Sequence, residues 1–297
     1  MKELIKAYTD LARIHFWIVW PLIFCSGLLL AFRNYSDFSW SLTIRGVLIA
    51  ILGFEAGFVL NDYVDREIDK KDVEDTLTRY WRPFNERPLP SGLIPARNAL
   101  VLFFILTICA AAVVATLSYP HNLYVLSIGL YSYFMEYFYQ MKKRNQNYPW
   151  AQLLGRTDFT LFPIAGYLCY GFFDRTALSY LIFFYPFVLA HLGVNDLIDI
   201  KNDMARGMKT VTVLYGMNGT ATWILLFVLL HIGVAPLFLR ELGLVGVFGI
   251  LAGFLLLGAA TYKIVKEKSS EAGLKVLPLF HAALLLYTVS IIIDSVI

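Results

Sequence analysis

Apolar residues run along this chain in nine long blocks, at 14–32, 43–61, 97–118, 122–141, 150–172, 177–195, 219–239, 243–262 and 276–296. A helix needs about 20 mostly apolar residues to cross the hydrocarbon core of a bilayer. Each block therefore predicts one membrane-spanning helix. The polar breaks at 118–122 and 173–176 are short enough to be hairpins between neighbouring helices. The pattern predicts an all-α, polytopic fold with nine transmembrane helices in one bundle, a single domain over residues 1–297. One polar segment is long, 62–96, and it ends in Arg87-Pro88-Leu89-Pro90-Ser91-Gly92. Two prolines and a glycine make a stiff turn, and long loops in compact domains are often functional. A lid is expected there.

Charge orients the bundle. Cytoplasmic loops of membrane proteins carry an excess of Lys and Arg. With the N-terminus in the cytoplasm, 20 of the 25 Lys and Arg residues fall on the cytoplasmic side. Four (Arg33, Arg45, Arg175 and Arg240) fall on the other, and Arg156 lies inside the fifth block. A cell-membrane protein with its polar machinery at the cytoplasmic face is expected. Composition agrees: 58% of residues are hydrophobic and 16% charged, against about 45–50% and about 25% in soluble domains. The basic start at Lys2, Lys6 and Arg13 resembles a signal peptide, but no small-residue cleavage pattern follows, so the first block reads as an uncleaved helix. No basic arm interleaved with aromatics is present, so no nucleic-acid partner is expected. Cys25, Cys109 and Cys169 all lie in apolar runs without metal or disulfide spacing.

The chemistry lies in one acidic pattern that occurs twice. Asn61, Asp62, Asp65 and Asp69 return 134 residues later as Asn195, Asp196, Asp199 and Asp203. On a continuous helix the three aspartates of each copy sit at about 0°, −60° and −20° around the axis, one acidic stripe two turns long. Each copy ends an apolar block on the cytoplasmic side, and four spans separate equivalent points, so the arrangement is a parallel pseudo-repeat (61–69 and 195–203). Two acidic stripes brought together repel unless cations lie between them. Oxygen-rich sites of this kind suit Mg²⁺, which usually completes its shell with water and substrate phosphates. A Mg²⁺–diphosphate site at the membrane edge is expected.

These residues resemble the UbiA-type intramembrane prenyltransferases. The first motif is similar to that family's NDxxDxxxD and the second to its DxxDxxxD. The 87–92 segment resembles an RPLPSG element, Gly207-Met208-Lys209-Thr210 a GxKS/T element, Leu214-Tyr215-Gly216 the sequence that closes that loop, and Tyr139-Gln140-Met141-Lys142-Lys143-Arg144 a YPFxKR element with Gln140 in place of proline. The resemblance implies that Asp62, Asp65, Asp69, Asp196, Asp199 and Asp203 hold Mg²⁺ and serve catalysis. It implies that Asn61, Asn195, Arg87, Lys143, Arg144 and Lys209 contact the diphosphate. The implied partners are an isoprenyl diphosphate, a lipophilic or aromatic acceptor and membrane lipid, with no obligatory protein partner evident.

Ionisable residues inside spans are costly and therefore informative. Glu55 stands near the place where the hydroxybenzoate-accepting branch carries a base, so it is a candidate acceptor contact that disfavours a carboxylate-bearing acceptor. Arg156 and Asp158 are expected to pair with each other or to reach the site. The leading function is Mg²⁺-dependent polyprenyl transfer to an aromatic, quinone-precursor-like acceptor. The alternative within the class is geranylgeranyl transfer to geranylgeranylglyceryl phosphate, as in archaeal-type ether lipids. From another class, a carboxylate-based cation transporter also fits acidic residues in a membrane chain, although transporter ion sites tend to lie at the bilayer midplane.

Overall fold

The computed structural model describes residues 2–297, and every regular element among them is helical. In chain order the helices are α1 (Lys2–Leu11), α2 (Val19–Asn34), α3 (Trp40–Asp65), α4 (Thr76–Trp81), α5 (Ala96–Ala115), α6 (His121–Lys142), α7 (Thr157–Thr160), α8 (Phe162–Leu168), α9 (Arg175–Ile198), α10 (Ile200–Arg206), α11 (Val211–Leu239), α12 (Leu244–Glu267) and α13 (Ser270–Val296). Three long helices begin where the sequence places a side-chain cap. Ser39 accepts from the Leu42 N–H, Asp174 from that of Ala177, and Ser269 from that of Ala272. Each satisfies one of the amide donors that a helix start leaves free.

Seven helical segments are long and apolar enough to cross a membrane. The blocks at 122–141 and 150–172 are the two that differ from the expectation. The former is one continuous helix, α6, whose Tyr, Gln and Glu residues lower its apolar character. The latter is broken: a π-helical turn at Ala151–Gly155, then α7, then α8. Polar Arg156-Thr157-Asp158 and Pro163 fall at the breaks, and broken backbone at membrane depth is tolerated where protein buries it.

The bundle is organised around α2, α9 and α13. α12 packs along α13, α11 along α9, α3 along α5, and α2 lies between α8, α3 and α13. The main core is aromatic, with Tyr180, Phe183, Phe184, Phe187, Phe280 and Tyr287 almost fully buried. In α5 only Ala99, Ala110 and Val114 are buried, and one face of the helix is exposed.

In lipid, helices associate by close packing rather than by escaping water, and small residues mark where backbones meet. Gly27 of α2 and Gly166 of α8 form such a crossing. A Cβ on Gly27 would come within 1.8 Å of the Pro163 carbonyl oxygen, and one on Gly166 within 1.8 Å of that of Phe24. The contact fixes α8, and through it the broken segment, against α2. Gly166→Val is expected to lower stability by about 1–3 kcal/mol or more, because backbone cannot yield as a side-chain tip can. A thermal-unfolding midpoint of the detergent-solubilised variant equal to that of the wild type would contradict this.

Candidate active site

The two acidic motifs lie where helices end. α3 stops at Asp65, and Asp69 stands on a separate 3-10 turn, Asp69–Lys71. α9 stops at Ile198, Asp199 sits at the junction, and Asp203 is on α10. The expected continuous stripe is therefore bent in both copies, which turns the third aspartate of each away from the axis of the first two. The local sequence explains where α10 ends. Gly207 ends α10 in the left-handed region, at φ 72°, and the Met208 N–H closes back on the Asp203 carbonyl at 2.8 Å. The chain then enters α11. The Thr210 hydroxyl donates to Asp203 at 2.7 Å and the Val211 N–H to Asp196 at 3.0 Å. Thr210 and the start of α11 thus hold two of the three aspartates, Asp196 on a helix N-terminus, where negative charge is favoured.

Every carboxylate of the first motif is buried and meets basic side chains. Asp62 takes Arg82 at 2.7 Å and Arg13 at 2.9 Å. Asp65 takes Lys143 at 2.8 Å and Arg144 at 2.9 Å. Asp69 takes Arg87 at 2.6 Å. Arg206, only 5% exposed, ties the copies together, reaching Asp69 at 3.4 Å, Asp199 at 3.1 Å and Asp203 at 3.8 Å, with Asp72 at its Nε. The 62–96 segment crosses over this network. Backbone N–H groups of Val73 and Glu74 donate to Asn202, Tyr80 bonds His281, and Arg82 also bonds the Asp10 carbonyl.

Among the described residues, no three His, Cys, Asp or Glu side chains are gathered closely enough to hold a metal ion as they stand. The expected all-carboxylate set is instead drawn onto arginine and lysine partners. The second motif nevertheless remains short of positive charge. Burial, then Asp199 and Asp196, push Asp203 up to about 8. Burial raises Asp199 and Asp69 as well, against the pull of Arg206 and Arg87. Asn195 donates to the His191 carbonyl at 3.3 Å, while its buried Oδ1 has no partner. Carboxylates that repel one another beside an unsatisfied amide oxygen are a donor set that fits a hard divalent cation.

The remaining expected residues separate into two groups. Asn61 lines a cavity and donates to Glu136 at 2.7 Å. Lys209 is engaged through its backbone, which donates to the Lys143 carbonyl at 2.7 Å, while its side chain is exposed. Glu55 is buried beside Arg13, the Trp20 and Trp17 rings and Asp62, both oxygens without a hydrogen-bond partner, and it does not line the cavity. The cavity, about 200 Å³ in volume, lies between α3, α5, α6 and the broken α7–α8 segment. Phe54, Phe58, Tyr133, Phe159 and Phe162 supply its aromatic wall, and Trp20 stacks on Phe54 at 3.9 Å. Sequence reasoning passed over Arg13, Arg82, Arg206, Asp72 and Glu136. Of these, Glu136 had a signal: an acid inside an otherwise apolar block.

Because Arg206 serves three aspartates across the two motifs, Arg206→Ala is expected to cost about 3–5 kcal/mol. Millimolar Mg²⁺ is expected to restore more stability to this variant than to the wild type. Equal melting midpoints, with equal response to Mg²⁺, would contradict the bridging role.

Comparison with known proteins identifies the family. The model of the UbiA prenyltransferase family matches residues 18–284. A 4-hydroxybenzoate octaprenyltransferase of Vibrio atlanticus is 25% identical over 218 residues, 71% of this chain and 70% of its own. A digeranylgeranylglyceryl phosphate synthase of Thermococcus onnurineus is 26% identical over 299 residues, 99% of both chains. Among solved structures, one of a digeranylgeranylglyceryl phosphate synthase superposes with a TM-score of 0.72 at 19% identity, covering 100% of this chain and 99% of that one. A UbiA homologue of Archaeoglobus fulgidus bound to DMAPP and Mg²⁺ gives 0.63 at 16% identity, covering 96% and 98%. These two structures share the fold, and the family match spans most of the sequence: the chain belongs to the UbiA prenyltransferase family.

Proposed function

We propose that this protein transfers a polyprenyl group from an isoprenyl diphosphate to a lipophilic acceptor in the membrane, with Mg²⁺. The observation that carries the reading is the pairing of the two aspartate motifs across one buried charge network, beside an aromatic cavity that reaches Asn61. Bound Mg²⁺ would neutralise the leaving diphosphate. Asp62, Asp65 and Asp69 would hold it from one side, and Asp196, Asp199 and Asp203 from the other, with Asn195 adding its free oxygen. Arg87, Lys143 and Arg144, with Arg13, Arg82 and Arg206, would bind the diphosphate oxygens, and the exposed Lys209 side chain would join them. The C1–O bond of the allylic diphosphate breaks, and diphosphate leaves with the electron pair. The acceptor's ring carbon or hydroxyl oxygen bonds to C1 and passes its proton to the released diphosphate. Through that step Phe54, Phe58, Phe159 and Phe162 keep water away and offer ring faces to the positive carbon.

The nine-span arrangement with a cytoplasmic N-terminus and a site opening to the cytoplasm belongs to this reading. It counts α6 and the broken 151–168 segment as crossings, and the Lys and Arg bias supports it. The 62–96 segment is its lid, supported by the bonds that join it to both motif regions. We assign acceptor contact to the cavity residues rather than to Glu55, which stands behind Arg13 and Asp62. An aromatic acceptor is the leading choice, and the relative named a 4-hydroxybenzoate octaprenyltransferase favours it. The synthase relative that matches over the whole chain favours a glyceryl-phosphate acceptor.

Asp62→Ala and Asp196→Ala are each expected to reduce Mg²⁺-dependent transfer from labelled geranylgeranyl diphosphate by about a hundredfold or more, in protein that still extracts and migrates as wild type. Undiminished turnover in both would refute the two-motif model. A wild type that does not bind the diphosphate with Mg²⁺ would refute prenyl transfer itself.

A further inference from the structure

Two histidines and a tyrosine outside both motifs join the 62–96 segment to the core. Tyr80 of α4 hydrogen-bonds His281 Nδ1 of α13 at 2.7 Å, and His281 Nε2 meets His191 Nε2 of α9 at 3.0 Å. The surroundings are aromatic. Phe187 lies parallel to the His191 ring at 6.4 Å, and Phe16 stands edge-on to His281 at 5.7 Å. Polar rings inside spanning helices are costly unless they pair, and they mark function.

An Nε2–Nε2 contact holds one proton, so one ring donates and the other accepts. His281 faces Tyr80 with its second nitrogen, as acceptor or as donor, and the tyrosine hydroxyl fits either case. Both nitrogens of His281 are used only while α4 is seated. Lifting α4 leaves a polar atom without its partner in an aromatic wall, which is costly. α4 also carries bases with it. The Arg82 N–H closes on the Thr78 carbonyl at 3.0 Å, and Arg87 Nε donates to the Thr78 hydroxyl at 3.0 Å. A second base-bearing segment docks at the same place. His15, two residues after Arg13, donates from Nε2 to the Tyr80 carbonyl at 3.2 Å, and the Phe16 ring packs on Trp81 at 4.7 Å. Arg13, Arg82 and Arg87 thus sit on two segments that meet at Tyr80 and His281, and all three reach aspartates of the first motif.

We propose that Tyr80, His281 and His191 are positioning residues for the diphosphate. Their hydrogen-bond chain fixes α4 and the α1–α2 junction so that Arg13, Arg82 and Arg87 face the leaving group, and it acts through those bases rather than on the ligand. The proposal rests on the prenyl-transfer reading and adds to it the residues that hold its anion-binding bases in place. Ion pairs alone do not fix those bases in the loaded site, because the aspartates they pair with are the ones that would take Mg²⁺. The Tyr80–His281–His191 chain uses none of these carboxylates, so it keeps both segments seated through that exchange.

The test is equilibrium binding of unreactive geranylgeranyl thiolodiphosphate with Mg²⁺ to the whole detergent-purified protein. Tyr80→Phe removes one hydroxyl and keeps the ring packing, and it is expected to weaken binding about tenfold. In an Arg87→Ala background the same change is expected to weaken it about threefold or less, because part of its effect runs through Arg87. His281→Asn, whose amide can still bond Tyr80, is expected to retain most of the affinity that His281→Leu loses. Wild-type affinity in a folded Tyr80→Phe protein would overturn the proposal, even with a lowered melting midpoint, since that is what a purely structural role gives. So would a full tenfold loss in the Arg87→Ala background. If Tyr80→Phe does not fold, equal affinities of His281→Asn and His281→Leu would overturn it instead. Failure of the wild type itself to bind would refute prenyl transfer, and the positioning role would fall with it.

Discussion

Buried carboxylates demand positive charge, and most of this molecule's polar architecture follows from that demand. Charges taken out of water are expensive unless they are paired and fully hydrogen-bonded. Six aspartates at the ends of two apolar helices create the debt here. The first motif meets it with Arg13, Arg82, Arg87, Lys143 and Arg144. These bases come from the α1–α2 junction, the 62–96 segment and the end of α6, so pairing the acids also docks three separate parts of the chain at one place. The second motif is less well supplied. It relies on Arg206, on the start of α11 and on Thr210, and its acids stay poorly compensated. That asymmetry is what a site built for a cation and an anionic ligand together would show, because each brings the charge the other half needs.

Much of this was legible in the chain because it depends on local pattern. Helix ends, the two motif positions and the turn at Gly207 follow from apolar blocks, acid spacing and a glycine. Helix lengths were less legible where apolar blocks fade. α11 begins at Val211, two turns before the block that predicts it, and is interrupted at Gly216 with φ 66°. Within a stretch such as Val211–Asn218, polar and apolar residues mix, and a bend required by the motif outweighs hydropathy. The fifth block read as a span by composition, but Arg156, which pairs with Glu136 of α6 and with Asp158, lies where the helix that hydropathy suggests is broken.

The partners of the acids were the least legible. Nothing in spacing says that Arg13 meets Asp62, or that Arg206 joins two copies more than a hundred residues apart. Those contacts depend on how helices pack, which is decided by shape at places such as Gly27 and Gly166. Glu55 shows the reverse case. The family resemblance made it a candidate acceptor contact, but a rotation of about 100° per residue puts it on the Asp62 face, beside Arg13, while Phe54, Phe58 and Asn61 face the cavity.

The account stands on both motifs acting on one bound cation–diphosphate. The most direct measurement is an anomalous difference map of the protein with Mn²⁺ in place of Mg²⁺ and geranylgeranyl thiolodiphosphate bound. Peaks between Asp62 and Asp65 on one side and Asp196, Asp199 and Asp203 on the other, with the diphosphate against them, are the predicted result. Peaks at one motif only, or a diphosphate bound away from both, would contradict it.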